Sequence, residues 1–158
     1  MLILDWIMVP IQVIIFLFTV YYFLIGINGL WRRKEKKILT PQKTFAVIVA
    51  AHNESAVIGQ LVDNLRELDY PKELYDIFVI ADNCSDDTAQ IAKNCGAIVC
   101  ERFNDKEKGK GFALEWMFAK LFEMPRQYDA VAIFDADNLV DKRFLLEMNN
   151  RLCKGDKL

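Results

Sequence analysis

Apolar runs alternate with amphipathic stretches along this chain, and the first run is unlike the rest. From Trp6 to Trp31 the sequence WIMVPIQVIIFLFTVYYFLIGINGLW holds no charged residue. About 20 apolar residues in a helix cross the hydrocarbon core of a bilayer, so this segment is long enough to span it with some tilt. Trp6 and Trp31 stand at its ends, as interfacial belts favour, and Pro10 falls near its start, where a missing N–H does little harm. A cleaved signal peptide fits poorly, because the leading residues MLILD lack a basic side chain and the run is too long. Positive charge follows instead, in Arg32, Arg33, Lys34, Lys36 and Lys37. By the positive-inside rule that cluster stays cytoplasmic and the N-terminus lies outside, which predicts a single membrane anchor with the remainder of the chain in the cytoplasm.

Beyond the linker ILTPQK the pattern changes to strands alternating with helices. TFAVIVAAHN (44–53) is a near-continuous Val/Ile/Phe/Ala run, the form of a strand buried on both faces. ESAVIGQLVDNLRELD then takes helical period, with Val57, Ile58, Leu61, Val62, Leu65 and Leu68 on one face and Asn53 or Ser55 as its cap. YDIFVIAD (75–82) is a second strand, SDDTAQIAKNCG a helix ended by Gly96, and AIVCERF a third strand. After the loop NDKEKGKG, the residues Ala113, Leu114, Met117, Phe118, Leu121 and Phe122 mark another amphipathic helix. YDAVAIFDAD is the fourth strand and DKRFLLEMNNRL the last helix. Such alternation predicts an α/β unit, a mainly parallel sheet with flanking helices. The chain divides into a transmembrane helix over 1–31, a basic juxtamembrane linker over 32–43 and the α/β unit over 44–158.

Ligands of such sheets bind beyond the carboxyl ends of the strands, and polar residues collect there. Strand one ends in His52, Asn53 and Glu54, strand two in Asp82 and Asn83, and strand four in Asp135 and Asp137. Residues i and i+2 of an extended segment face the same side, so Asp135 and Asp137 address one object. Two like charges that close call for a cation, and oxygen ligands favour Mg²⁺ or Mn²⁺ with phosphate oxygens completing the shell. Lys108, Gly109, Lys110 and Gly111 lead into a helix; taken alone they read equally as a solvated loop or as a phosphate cradle of free amides and lysine charge.

Composition narrows the partners. The 158 residues carry a net charge of −2, which gives no basic face for nucleic acid. The four cysteines, Cys84, Cys95, Cys100 and Cys153, have no C-x-x-C spacing, and the one histidine, His52, is remote from them, so a zinc site is disfavoured and a reducing compartment suits them. No G-x-G-x-x-G follows strand one, which argues against a dinucleotide-binding dehydrogenase. AAHNES contains no glycine, which argues against a sugar-phosphate nucleotidyltransferase.

VAAHNE, VIADNCSDDT, KGKGFAL and FDAD, in that order across residues 44 to 140, resemble the motifs of the family 2 glycosyltransferases of GT-A fold, a Rossmann-related architecture. The membrane helix ahead of the α/β unit resembles the membrane-bound members. The resemblance implies transfer of a sugar, with inversion, from a nucleoside diphosphate sugar such as a UDP-sugar to a hydroxyl of a glycan or lipid acceptor. It implies that Glu54 and Asp82 hold the uracil and ribose, that Lys110 lies near the nucleotide or its diphosphate, that Asp135 faces ribose or metal, and that Asp137 ligates Mg²⁺ or Mn²⁺. Ala81 stands where the family has the first aspartate of a pair, and His52 where it has tyrosine; His52 either packs and caps or touches nucleotide. The family's catalytic base comes from a later segment, so no catalytic residue is assigned within the chain and the base is expected beyond Leu158. The chain therefore reads as the donor-binding portion of a longer enzyme, with a non-catalytic, membrane-anchored nucleotide-sugar-binding module as the alternative.

Overall fold

The structure, a computed structural model, describes residues 3–30 and 39–155. It divides into two compact units, 1–37 and 38–158. The basic cluster from Arg32 to Lys37 lies outside the described residues.

The first unit is the helix α1 (Ile3–Leu30). Within it Met8–Ile27 has a mean hydropathy of 2.2 with none of that window buried, so length and composition alone fit a bilayer span. Pro10 lies inside the helix rather than in its first turn, because the helix begins earlier, at Ile3. Its missing N–H leaves the Trp6 carbonyl without the usual i+4 partner.

The second unit is a parallel four-stranded sheet, β1 (Phe45–Ala51), β2 (Tyr75–Asp82), β3 (Ile98–Arg102) and β4 (Ala130–Asp135), in the order β3-β2-β1-β4. The helices are α2 (Ile58–Arg66), α3 (Thr88–Asn94), α4 (Lys110–Glu123) and α5 (Phe144–Cys153). β1 is central, and its alternate residues feed two separate cores. Phe45, Val47, Val49 and Ala51 pack with Ile58, Leu61, Val62 and Leu65 of α2, Ala92 of α3 and Leu145 of α5. Ala46 and Ile48 pack with Phe78, Ile80 and Ala113, Met117 and Leu121 of α4 on the other side. Each fully buried Val, Ile, Leu or Phe side chain contributes about 1.5–3 kcal/mol, which makes β1 the best-anchored strand.

β4 is less buried than its apolar letters predict. Val131, Ala132 and Phe134 are half-buried and Ile133 is exposed, because among the described residues β4 pairs only with β1. Phe122, expected on the apolar face of α4, is 71 % exposed; it stacks on Phe118 at a centroid distance of 6.2 Å instead of entering the core.

Strand order places the site. From β1 the chain steps to β2 and β3 on one side, crosses through α4, and returns as β4 on the other side of β1. The crevice beyond the carboxyl ends of β1 and β4 is the topological switch point where open α/β sheets bind ligands.

Candidate functional site

Register sets which side chains share the α4 face. Ala50 is the partner of Asp135 across β1 and β4, and Asp82 is the partner of Arg102 across β2 and β3. Asp82 follows Phe78 and Ile80 in phase, and Ala50 follows Ala46 and Ile48, so both carry the α4-side core outward to its solvent end. There α4 begins. Its N-cap, Gly109, has φ 111° and ψ 163°, a backbone region that only glycine occupies readily. A side chain at Gly109 meets nothing within 4 Å, so the helix amides open onto free space.

A cleft of about 580 Å³ lies here, within the usual range for small-ligand sites. Its walls include His52, Asp82, Asn83, Phe103, Lys108 and Lys110. Lys110, the first residue of α4, contacts Asp135 Oδ1 through its ammonium. The cleft therefore gathers Asp82 and Lys110 directly, and Asp135 through Lys110.

Glu54 and Asp137 stand outside the cleft lining. Glu54 is held by its backbone: its N–H donates to Thr88 Oγ1 at 2.8 Å, and its carbonyl accepts from Val57 and Ile58 at 3.1 and 3.0 Å. The predicted caps of α2 are not used. α2 begins at Ile58, and Asn53 turns instead to the next loop, accepting from the Ser85 N–H at 2.8 Å. The amides of the turn that leads into α2 are satisfied from outside, Glu54 by Thr88 and Ser55 by Asp86, whose Oδ2 accepts from the Ser55 N–H at 3.2 Å. Asp86 also accepts from the Thr88 hydroxyl at 2.5 Å. These bonds, Thr88 first, hold its carboxyl at about 2 rather than 3.8.

The geometry expected of Asp135 and Asp137 changes. β4 stops at Asp135, and the Asn138 N–H donates to the Asp135 carbonyl at 3.1 Å, closing a β-turn that contains Ala136 and Asp137. The alternation that would put both carboxylates on one side of an extended strand ends one residue too early. Asp137 Oδ1 accepts from Asn138 Nδ2 at 3.2 Å, and both aspartates are exposed. Among the described residues no group of three His, Cys, Asp or Glu side chains is arranged to hold a metal. An octahedral Mg²⁺ or Mn²⁺ takes as few as one or two protein carboxylates when water and phosphate oxygens fill its shell, and Asp135 and Asp137 supply that number without amounting to an all-protein cage.

His52 Nδ1 lies 2.7 Å from the Asp82 carbonyl oxygen. A carbonyl only accepts, so Nδ1 carries a proton and donates it to this oxygen. Asn53 and Asn83, with φ of 55° and 50°, end β1 and β2 in the left-handed region that asparagine tolerates better than most residues.

Several residues that shape the site carried no conspicuous motif. Arg102, 5 % exposed, binds Asp82 Oδ1 through Nη1 at 2.7 Å. Its signal in the sequence was a charge at an inward-facing position at the end of β3. Asn83 Oδ1 accepts from the Asn104 N–H at 2.8 Å and fixes the loop that leads to Gly109. Asn64 of α2 clamps the segment after the Asp135 turn, accepting from the Val140 N–H at 2.7 Å and donating to its carbonyl at 3.2 Å.

A parallel α/β sheet with a cleft beyond the ends of β1 and β2, a glycine-capped helix beside it and strand-end carboxylates has the architecture of the GT-A fold. Residues 41–158 match the family described as glycosyltransferase-like family 2, and the chain belongs to that family of glycosyltransferase enzymes. It is 34 % identical over 122 residues to a beta-monoglucosyldiacylglycerol synthase of Nostoc sp. (strain PCC 7120), covering 74 % of this chain and 25 % of that protein. It is 32 % identical over 113 residues to the low-salt glycan biosynthesis hexosyltransferase Agl6 of Haloferax volcanii, covering 72 % and 25 %. The chain thus spans about a quarter of the length of these curated relatives. A mannosyltransferase from Pyrobaculum calidifontis, solved with GDP-Man and Mn²⁺, shares the fold with a TM-score of 0.67 at 21 % identity, over 91 % of this chain and 42 % of that one. The glucosyl-3-phosphoglycerate synthase of Mycobacterium tuberculosis, solved with Mn²⁺, UDP and phosphoglyceric acid, has a TM-score of 0.58 at 25 % identity, over 77 % and 45 %.

Proposed function

We propose that this chain binds the donor of a glycosyl transfer, a nucleoside diphosphate sugar and first of all a UDP-sugar, for inverting transfer to a hydroxyl of a glycan or lipid acceptor. The observation that carries the reading is the cleft beyond the carboxyl ends of β1 and β2, whose lining brings Asp82 and His52 together with a glycine-capped, lysine-bearing helix start. In this reading the nucleoside lies toward Asp82 and His52, with Glu54 at the outer side of the nucleoside. The diphosphate lies toward the free amides after Gly109 and the Lys110 ammonium. Asp135 and Asp137 are the residues that would hold Mg²⁺ or Mn²⁺, which when bound supplies positive charge to the departing diphosphate. Lys110 serves the same charge from the protein side, and its exposed pairing with Asp135 is weak enough to exchange for phosphate. α1 is proposed to anchor the chain in the membrane, with the α/β unit in the cytoplasm.

The test is calorimetric titration of the full chain, in detergent with Mg²⁺, by UDP, UMP, GDP and ADP. The reading expects UDP to bind at least tenfold more tightly than UMP, because the second phosphate meets the helix start and Lys110, and more tightly than ADP. Equal affinity for UDP and UMP would remove the diphosphate assignment, and preference for GDP would redirect the donor to a guanosine sugar.

A further inference from the structure

Asp82 and Arg102 are adjacent in register and both nearly buried, with side-chain exposures of 9 % and 5 %. Oδ1 of Asp82 is fully engaged, accepting from Arg102 Nη1 at 2.7 Å and from Asn83 Nδ2 at 3.1 Å. Oδ2 has no protein partner among the described residues. Since every buried side-chain nitrogen and oxygen there has a partner, Oδ2 is an atom that still reaches open space, and Asp82 lines the cleft. A carboxylate clamped by one oxygen and open at the other is a fixed, acceptor-only group. Without the guanidinium it would be a buried charge lacking its counter-ion, and it would turn or draw in water. The other end of Arg102 faces Glu107 Oε2 at 3.6 Å, but the loop does not depend on that contact. Glu107 is held independently, its N–H by Asn104 Oδ1 at 3.0 Å and its carboxylate by Asn104 Nδ2 at 3.1 Å.

We propose that Arg102 is the positioning residue of the nucleoside end of the cleft: by clamping Asp82 through Oδ1 it keeps Oδ2 as a fixed acceptor for an N–H or O–H of the bound nucleoside. This rests on the donor-site reading above and assigns a role to a residue that touches no ligand itself. Arginine is required rather than any cation, because its planar fork holds the carboxylate in one orientation while a lysine ammonium acts as a point charge.

The test compares three probes on the full chain in detergent: UDP, uridine, and inorganic pyrophosphate with Mg²⁺. Arg102→Met is expected to weaken UDP and uridine by the same factor, about tenfold or more, as loss of an ordered charged acceptor requires. Pyrophosphate affinity is expected to stay within about twofold, because Asn104 still holds the loop before Gly109. On an Asp82→Asn background the same substitution should cause no further loss, since Arg102 acts through Asp82. Arg102→Lys should lose about threefold for uridine, and it carries the test together with the double variant if Arg102→Met alone does not fold. Equal losses for uridine and pyrophosphate, additive losses in the double variant, or an unchanged Arg102→Lys would each overturn the role. A wild-type chain that binds none of the three probes overturns the donor-site reading itself, and this inference with it.

Discussion

Replacing Thr88 by valine isolates the joint that sets Glu54 and the start of α2. Thr88 is fully buried, and its hydroxyl does two things: it accepts from the Glu54 N–H at 2.8 Å and donates to Asp86 Oδ1 at 2.5 Å. Valine keeps the shape and removes both bonds. The Glu54 amide, partly buried, is then left without a partner, at about 1–3 kcal/mol. The lost bond to Asp86 adds little, because that carboxylate is exposed and water replaces the hydroxyl. The expected cost is therefore about 1–3 kcal/mol, or a fall in Tm of roughly 4–12 °C for a unit of this size. Thr88→Ser keeps the hydroxyl and gives up one buried methyl, about 0.8 kcal/mol. A second readout is independent of stability. The Asp86 carboxyl, held at about 2 chiefly by Thr88, should move up toward 3.8 in the valine variant, followed by NMR titration of its carboxyl carbon. The sign is set by the lowered pKa: what Asp86 contributes is present above its ordinary value of 3.8 and is lost as pH falls through about 2. The gap between wild type and Thr88→Val should accordingly be widest near neutral pH and narrower at pH 2. Equal stability of wild type and Thr88→Val at pH 7, or an Asp86 titration that does not move, would refute that role.

Gly109→Ala should destabilise by about 1–3 kcal/mol through backbone strain alone, since φ is 111° and a Cβ meets no neighbour, and it should weaken UDP binding more than uridine binding. Asn149→Leu removes a fully buried amide whose Oδ1 accepts from the Gln42 and Lys43 N–H groups at 3.1 and 3.2 Å and whose Nδ2 donates to the Thr40 carbonyl at 3.2 Å. It should cost about 2–5 kcal/mol and make the 39–43 segment the first site of limited proteolysis, read by mass spectrometry of the fragments. Carbonate extraction should leave the full chain with the membrane pellet, and deletion of Met8–Ile27 should release it to the supernatant.

The element order and the core faces of this fold are legible in the residues because two signals coincide. β1 and β2 are runs of apolar residues buried on both sides, and the helices between them carry apolar positions at helical spacing, so pattern alone separates strand from helix. Strand ends and helix starts are a different matter. Asn53 and Ser55 look like caps of α2, yet the bonds come from Thr88 and Asp86, more than thirty residues along, which no local pattern reveals. FDAD looks like continuous strand, yet the chain turns after Asp135 because the Asn138 N–H closes back on it. Arg102 and Asp82 sit 20 residues apart, and only the parallel register of β2 and β3 makes them neighbours. The exposure of β4 is hidden for a related reason, since an apolar run does not say how many neighbours its strand has.

The most direct test of the donor-site account is UDP affinity of the full chain with Mn²⁺ and with EDTA, for wild type and Asp137→Asn. The account predicts that Mn²⁺ strengthens UDP binding by tenfold or more in wild type, and that Asp137→Asn loses that gain while retaining the metal-free affinity. Identical UDP affinity with and without metal in wild type, or an undiminished metal effect in Asp137→Asn, would contradict it.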